Sequence, residues 1–288
     1  MNQLSLFIEL TRLKKPIGFM LLFWPCLWGL TTVYDFNSGL LNYFFYSLLF
    51  LSGSILMRSA GCIVNDIVDE NFDKKVERTK NRPIASKKIS KKLATIYAVS
   101  LCAIAFLVLI NFNTFTIYMA IASMPLAFTY PLMKRITYWP QLFLGITFNY
   151  GLVLAWISIS NEISIIPIIF YVGAIFWTLG YDTIYGFQDI KDDEIIGLKS
   201  TSIKFKGTAK LFLILCYLIL IISFALGGYF MGFNLFYFLF LIIPLIHLFF
   251  YQIKIFNIKK PSTCLKIFKS NNYLGFILLI NIFIGKTL

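Results

Sequence analysis

The chain has 288 residues, of which 59% are hydrophobic and only 14% charged, and its mean hydropathy is +0.79. A soluble domain carries about 25% charged residues, so a soluble enzyme is excluded and an integral membrane protein is expected. The net charge of +13 is shown below to follow from membrane topology, and it calls for no nucleic-acid partner.

Apolar runs long enough to cross a bilayer, about 20 residues each, fall at 17–35, 41–64, 92–111, 115–133, 138–158, 163–181, 208–228, 232–253 and 272–286. They predict an all-α protein of nine transmembrane helices. The first run follows Arg12, Lys14 and Lys15, as a signal peptide's would, but it is long and lacks a small-residue cleavage site, so it is read as a retained helix. All but two of the 26 Lys and Arg residues lie in the N-terminus or in every second connection; the exceptions are Arg58 and Lys286. By the positive-inside rule those segments face the cytoplasm, and they favour contact with anionic membrane lipid.

The connection after the second helix holds Asn65, Asp66, Asp69, Glu70, Asp73 and Glu77, and the one after the sixth holds Asp182, Asp189, Asp192, Asp193 and Glu194; together they contain ten of the chain's 13 acidic residues. Four crossings separate the two clusters, so both face the same side. Helix pair, acidic connection and helix pair then recur, which predicts two related four-helix halves plus a ninth helix within one membrane-embedded domain, 1–288.

If the second helix continues into its connection, Asn65, Asp66, Asp69 and Asp73 share one side of it. Asp182, Tyr185, Asp189 and Asp193, spaced 3, 4 and 4, form a second stripe on the same assumption. Carboxylates gathered this way repel unless cations lie between them, and Mg2+ accepts a few of them while keeping waters and phosphate oxygens. Solvated loop charges are the plainer alternative. Arg78, Arg82, Lys134, Arg135 and Lys199 supply opposite charge on the same face, where Arg offers the forked donors that match phosphate; as a set beside the carboxylates they point to a diphosphate-metal site. Arg58 stands in the apolar run 50–64, two helical turns before Asn65. An arginine at that depth is costly and is placed to hold a small anion below the metal site; a side chain snorkelling to the interface is the plainer alternative.

The five cysteines have no CxxC spacing and read as packing residues. His247, the only histidine, reads as a bundle residue. Gly228 and Gly232 have a helix-contact spacing.

These residues resemble the UbiA-type membrane prenyltransferases, and within them the hydroxybenzoate branch. The resemblance rests on Arg58-Ser59-Ala60-Gly61-Cys62 leading into NDxxDxxxD at Asn65 to Asp73, and on Arg78-Thr79-Lys80-Asn81-Arg82-Pro83. Tyr130-Pro131 through Lys134-Arg135 to Pro140-Gln141 extends it. The second motif follows, from Tyr181-Asp182-Thr183-Ile184-Tyr185 through Asp189 and Asp193 to Gly197-Leu198-Lys199-Ser200-Thr201.

What the resemblance implies is transfer of a polyprenyl group from polyprenyl diphosphate to the ring carbon ortho to the hydroxyl of 4-hydroxybenzoate, in ubiquinone biosynthesis. Asn65, Asp66, Asp69, Asp73, Asp182, Asp189 and Asp193 would hold Mg2+, and Arg78, Arg82, Lys134, Arg135 and Lys199 would hold the diphosphate. Arg58 would bind the acceptor's carboxylate, with Asp182 and Tyr185 as candidates for the ring proton or the phenol. The expected location is the bacterial inner (plasma) membrane, with the mitochondrial inner membrane as the alternative. Sibling transferases acting on naphthoate, haem, homogentisate or chlorophyll precursors, and a divalent-cation carrier, are the competing readings. A carrier would place its carboxylates at mid-bilayer.

Overall fold

In the computed structural model, which describes residues 2–287, every regular element among the described residues is helical. A short surface helix, α1 (Gln3–Thr11), precedes α2 (Ile17–Val33), α3 (Leu40–Asp73), α4 (Lys91–Leu109) and α5 (Thr114–Thr129). Then come α6 (Pro140–Ser160), α7 (Ile165–Gly186), the short α8 (Ile190–Ile195) and α9 (Ala209–Phe230). The helical segment α10 (Leu235–Ile253) and α11 (Pro261–Thr287) complete the chain. Eight helical segments, among them α5 together with its continuation as Thr114–Ile136, are long and apolar enough to cross a membrane, and α2 is a shorter apolar helix. Each coincides with one of the nine expected runs, and the first run, α2, falls short of the length of the other eight.

Burial follows sequence. Helix α2 is apolar around its whole circumference and sits at the centre, packed on α3, α6 and α11. In α4, by contrast, only Ala94, Ala98, Leu101 and Ala105 are buried, a single stripe at helical spacing that seats the helix on α3. Ile96, Val99, Ile104 and Leu107 face outward, where lipid is their natural neighbour. Close approach of α2 and α6 depends on residues without side chains: a Cβ on Gly29 would collide with the Leu152 carbonyl, and one on Gly151 with Cys26 Sγ.

The two halves use the same device at their far end. Asn113 caps α5, accepting from Thr116 N at 2.8 Å, and donates to the Ile157 and Ser158 carbonyls of α6. Asn234 caps α10, accepting from Tyr237 N at 3.2 Å, and donates to Ile284 and Gly285 of α11. Each asparagine closes a helix start and pins it to the end of a neighbour.

Three expectations are corrected here. The ninth helix was expected at 272–286 but begins at Pro261, because Lys266 and Lys269 are spread over its first turns without interrupting it. Gly228 and Gly232 do not act as a pair: Gly228 lets α9 approach the Tyr237 ring of α10, while Gly232, at φ +66°, lies in the turn after α9. The eighth span is not a uniform α-helix, since Ile246–Ile253 widens into a π-helix.

That widened segment carries Gln252 and His247 into a buried polar network. Tyr217 donates to Gln252 Oε1 at 2.6 Å, Gln252 Nε2 donates to Asn271 Oδ1 at 3.1 Å, and Trp177 Nε1 donates to the same oxygen at 2.8 Å. His247 Nδ1 lies 3.3 Å from Gln252 Nε2, so the lone histidine is a member of this network. Asn271 is fully buried and its oxygen serves two donors. Replacing it by leucine (Asn271→Leu) orphans both, and the expected loss is about 1–3 kcal/mol, read as a lowered unfolding midpoint in detergent; an unchanged midpoint would show that the network does not hold α7, α10 and α11 together.

Candidate functional site

Helix α3 is 34 residues long, about 51 Å at 1.5 Å per residue. That exceeds the roughly 30 Å hydrocarbon core, so one end of α3 projects beyond it, and that end carries Asp66, Asp69 and Asp73. The placement is electrostatically adverse: a helix C-terminus is itself negative, and the three carboxylates are only 2%, 1% and 6% exposed. Buried charges of this kind need partners.

Basic side chains from three different segments provide them. Arg12 Nη2 meets Asp66 Oδ1 at 2.6 Å. Arg82 Nη1 bridges Asp66 at 3.1 Å and Asp73 at 2.8 Å. Lys134 pairs with Asp69, which Arg135 also approaches at 3.4 Å.

The connection 74–90 folds over the end of α3 as a cap, with Val76, Ile84, Ala85 and Ile89 buried and Thr79 donating to the Asp73 carbonyl at 3.0 Å. Ile84 and Ile89 form a small apolar cluster with Leu10 of α1. That cluster fixes α1 against the cap, and Arg12, in the left-handed conformation at φ 57° where α1 ends, thereby reaches Asp66.

The second acidic cluster is not the continuous helical stripe expected from its spacing. Helix α7 stops at Gly186, leaving Asp182 and Tyr185 on it, while Asp189 stands at the N-cap of α8 and Asp193 lies within α8. Asp189 makes no side-chain cap bond; it accepts two bonds of 2.8 Å from Arg78 Nε, and another from Nη2. Arg78 also donates to the Tyr185 hydroxyl at 3.4 Å. Asp182 and Asp193 form no ion pair among the described residues. Burial, reinforced by the charge of Asp189, raises the Asp193 carboxyl to about 6.

Both clusters line one cavity of about 870 Å³, with Asn65, Asp66, Asp69, Asp73, Asp182, Asp189 and Asp193 on its wall, together with Arg12, Arg58, Arg78, Arg82, Lys134, Tyr185 and Lys199. Lys199 donates to the Ile136 carbonyl at 3.1 Å. Arg135 is not in the cavity wall: it bonds the Val68 carbonyl at 2.7 Å and lies over the Phe72 ring, bracing Asp69 from outside. A second, apolar cavity of about 270 Å³ runs among α2 to α6 and meets the first at Arg58, Tyr130 and Phe148. Arg58 stands at this junction with Nε buried and without a hydrogen-bond partner.

The acidic donors are all oxygen, which suits a hard divalent cation. Among the described residues, no three His, Cys, Asp or Glu side chains converge as a ready-made cage, because four of the aspartates are engaged by Arg or Lys. Arg12 escaped the sequence reading, where it counted only as topological charge; its contact with Asp66 spans 54 positions.

Residues 22–280 match the UbiA prenyltransferase family. The chain belongs to that family. Among relatives of this UbiA chain, the rat mitochondrial 4-hydroxybenzoate polyprenyltransferase is 40% identical over 281 residues, covering 97% of this chain and 74% of the rat protein. A 4-hydroxybenzoate octaprenyltransferase from Psychromonas ingrahamii is 38% identical, covering 97% of this chain and 96% of its own. A solved UbiA homolog from Archaeoglobus fulgidus, bound to DMAPP and Mg2+, has a TM-score of 0.72 over 98% of this chain and 99% of its own at 17% identity, a likeness of fold.

Removing the nearest partner of a 2%-exposed aspartate leaves Asp66 to Arg82 alone. Arg12→Ala is therefore expected to lower prenyl-transfer turnover by about tenfold, whereas Lys75→Ala, on the exposed side of the cap, leaves it unchanged; equal turnover in both variants would assign Arg12 to topology alone.

Proposed function

We propose that this protein, acting as one membrane-embedded domain over 1–288, transfers a polyprenyl group from polyprenyl diphosphate to the ring carbon ortho to the hydroxyl of 4-hydroxybenzoate, releasing diphosphate, as a step of ubiquinone biosynthesis. The observation that carries this reading is the meeting of two unlike cavities at one unpaired arginine: a charged mouth, an apolar channel and Arg58 between them. The charged mouth suits a diphosphate, the apolar channel an isoprenoid chain, and the buried guanidinium a small carboxylate. The 4-hydroxybenzoate transferases at about 40% identity support the choice of acceptor. The mouth opens toward the cytoplasm by the distribution of Lys and Arg.

Arg78, Arg82, Lys134 and Lys199 hold the diphosphate. A diphosphate competes with Asp189, Asp66, Asp73 and Asp69 for the cations that now pair with them, and it thereby frees oxygen donors. Asn65, Asp66, Asp69, Asp73, Asp182, Asp189 and Asp193 are the residues that would hold Mg2+, which supplies charge neutralisation on the leaving group. Arg135 supports Asp69 from behind the wall.

Reaction breaks the allylic C–O bond, whose electron pair departs with the diphosphate. The cationic carbon is met by the electron-rich ring carbon, and a C–C bond forms. Arg58 fixes the acceptor by its carboxylate at the junction of the cavities, so the ring faces the carbon being released. Tyr185, whose ring packs on Phe268 at 4.4 Å between centroids and whose hydroxyl accepts from Arg78 at 3.4 Å, polarises the acceptor's phenol. Asp182, one turn deeper on α7 and free of any ion pair, accepts the ring proton and restores aromaticity. The apolar channel among α2 to α6 takes the tail and keeps water from the cation.

Purified protein supplied with polyprenyl diphosphate, 4-hydroxybenzoate and Mg2+ should yield 3-polyprenyl-4-hydroxybenzoate and diphosphate. Chelation with EDTA should abolish the product, and Asp69→Asn or Asp189→Asn should lower turnover by about 10²-fold or more. Undiminished product under chelation would end the metal reading. Prenylation of naphthoate or homogentisate in preference to 4-hydroxybenzoate would end the acceptor assignment.

A further inference from the structure

A long polyprenyl tail does not fit inside the apolar channel. A cavity of about 150 Å³ holds benzene, so on that scale the channel's volume of about 270 Å³ takes roughly ten or eleven carbons, about two five-carbon isoprene units. Its far end is closed. Phe50 of α3, eight residues and about 12 Å from Arg58, meets the Phe112 ring at 4.8 Å between centroids, and Tyr46 backs Phe112 at 5.8 Å. A tail entering at the Arg58 junction cannot continue straight along α3.

The side of the channel is open instead. Helix α4 rests on α3 and α5 on α6, while α4 and α5 are joined through 110–113 without packing along one another. Phe106 of α4 and Ile121 of α5 both line the channel and are 49% and 48% exposed, so between them the channel reaches the surface that faces lipid. Their chain neighbours Ala105 and Ala120 line it as well, and are buried. Ala105 lies four residues from the end of α4 and Ala120 six from the start of α5, about 6 and 9 Å along each helix, which places both toward the closed end. There each contributes only a methyl group, and in an interior packed to the density of a crystal a missing side chain is an open path.

We infer that Ala105 and Ala120 determine prenyl-chain specificity: by being small where the channel meets the gap between α4 and α5, they let a tail longer than about two isoprene units turn out into the bilayer. This names the chain-length class of the substrate and rests on the functional reading. The units beyond the second lie in lipid, so the cavity sets no upper limit on length. A bulky side chain at either position turns the channel into a closed pocket for short tails. Ala105 also seats α4 on α3, which makes Ala120 the cleaner position to vary.

The test compares kcat/KM of Ala120→Phe for geranyl diphosphate, which has two isoprene units, and for octaprenyl diphosphate, with 4-hydroxybenzoate and Mg2+ saturating. The octaprenyl value should fall about tenfold or more relative to the geranyl value, whereas Val99→Phe, on the outward face of α4, should leave that ratio within about twofold of the parent's. Overpacking can unsettle a helix, so a second measurement uses the parent protein: a prenyl diphosphate of three units with a diazirine on the third, once photolysed, should label 102–109 and 120–127. Label confined to α2, α7, α9 or α11 overturns the inference, as does an unchanged octaprenyl-to-geranyl ratio in Ala120→Phe with an unaltered unfolding midpoint; where the midpoint falls, the label decides. These results leave the functional reading intact. A parent protein that prenylates no 4-hydroxybenzoate with either diphosphate overturns the functional reading, and this inference with it.

Discussion

Three aspartates buried at the carboxyl end of a helix are the interaction on which the rest of this structure depends. Helix polarity, mutual repulsion and loss of water all act against Asp66, Asp69 and Asp73. Their negative charge is tolerated because Arg12, Arg82, Lys134 and Arg135 arrive from α1, from the cap over α3 and from the turn before α6. The architecture around the mouth follows from delivering those cations. Surface helix α1 is held by Leu10, the 74–90 cap by Ile84 and Ile89, and the two halves of the bundle are joined where Arg78 of the first reaches Asp189 of the second.

A lattice of paired charges of this kind can rearrange around a ligand that carries the same charge as its acids. A diphosphate resembles the carboxylates to an arginine, and a divalent cation resembles an arginine to the carboxylates, so the two together can replace internal pairs without leaving charge stranded. Among the described residues Arg58 has no acidic partner, and its orphaned Nε lies where the charged mouth meets the apolar channel. In the proposed function that difference divides the labour between diphosphate chemistry above and acceptor recognition below.

The run of membrane-length helices and the gathering of both acidic clusters at one cavity were legible in the sequence, because bilayer thickness and charge asymmetry impose them directly. Legibility ended where tertiary contact decided. Asp182, Tyr185, Asp189 and Asp193 have helical spacing, yet α7 ends at Gly186 and α8 begins at Ile190, so the stripe is broken and Asp189 turns to Arg78. Lys134 and Arg135 are neighbours in the chain, but one faces the cavity and the other lies on Phe72 outside it. Arg12 sits in a segment whose composition spoke only of topology; its meaning appears through Asp66, 54 positions away.

The central claim is that diphosphate and Mg2+ enter one shared charge lattice, and their binding must then be coupled. Titration of the purified protein with polyprenyl diphosphate at several fixed Mg2+ concentrations, and with Mg2+ at several fixed diphosphate concentrations, measures that coupling. The account predicts that each raises the affinity for the other by the same factor, about tenfold or more, as linkage requires. Affinities that are independent of one another would contradict it.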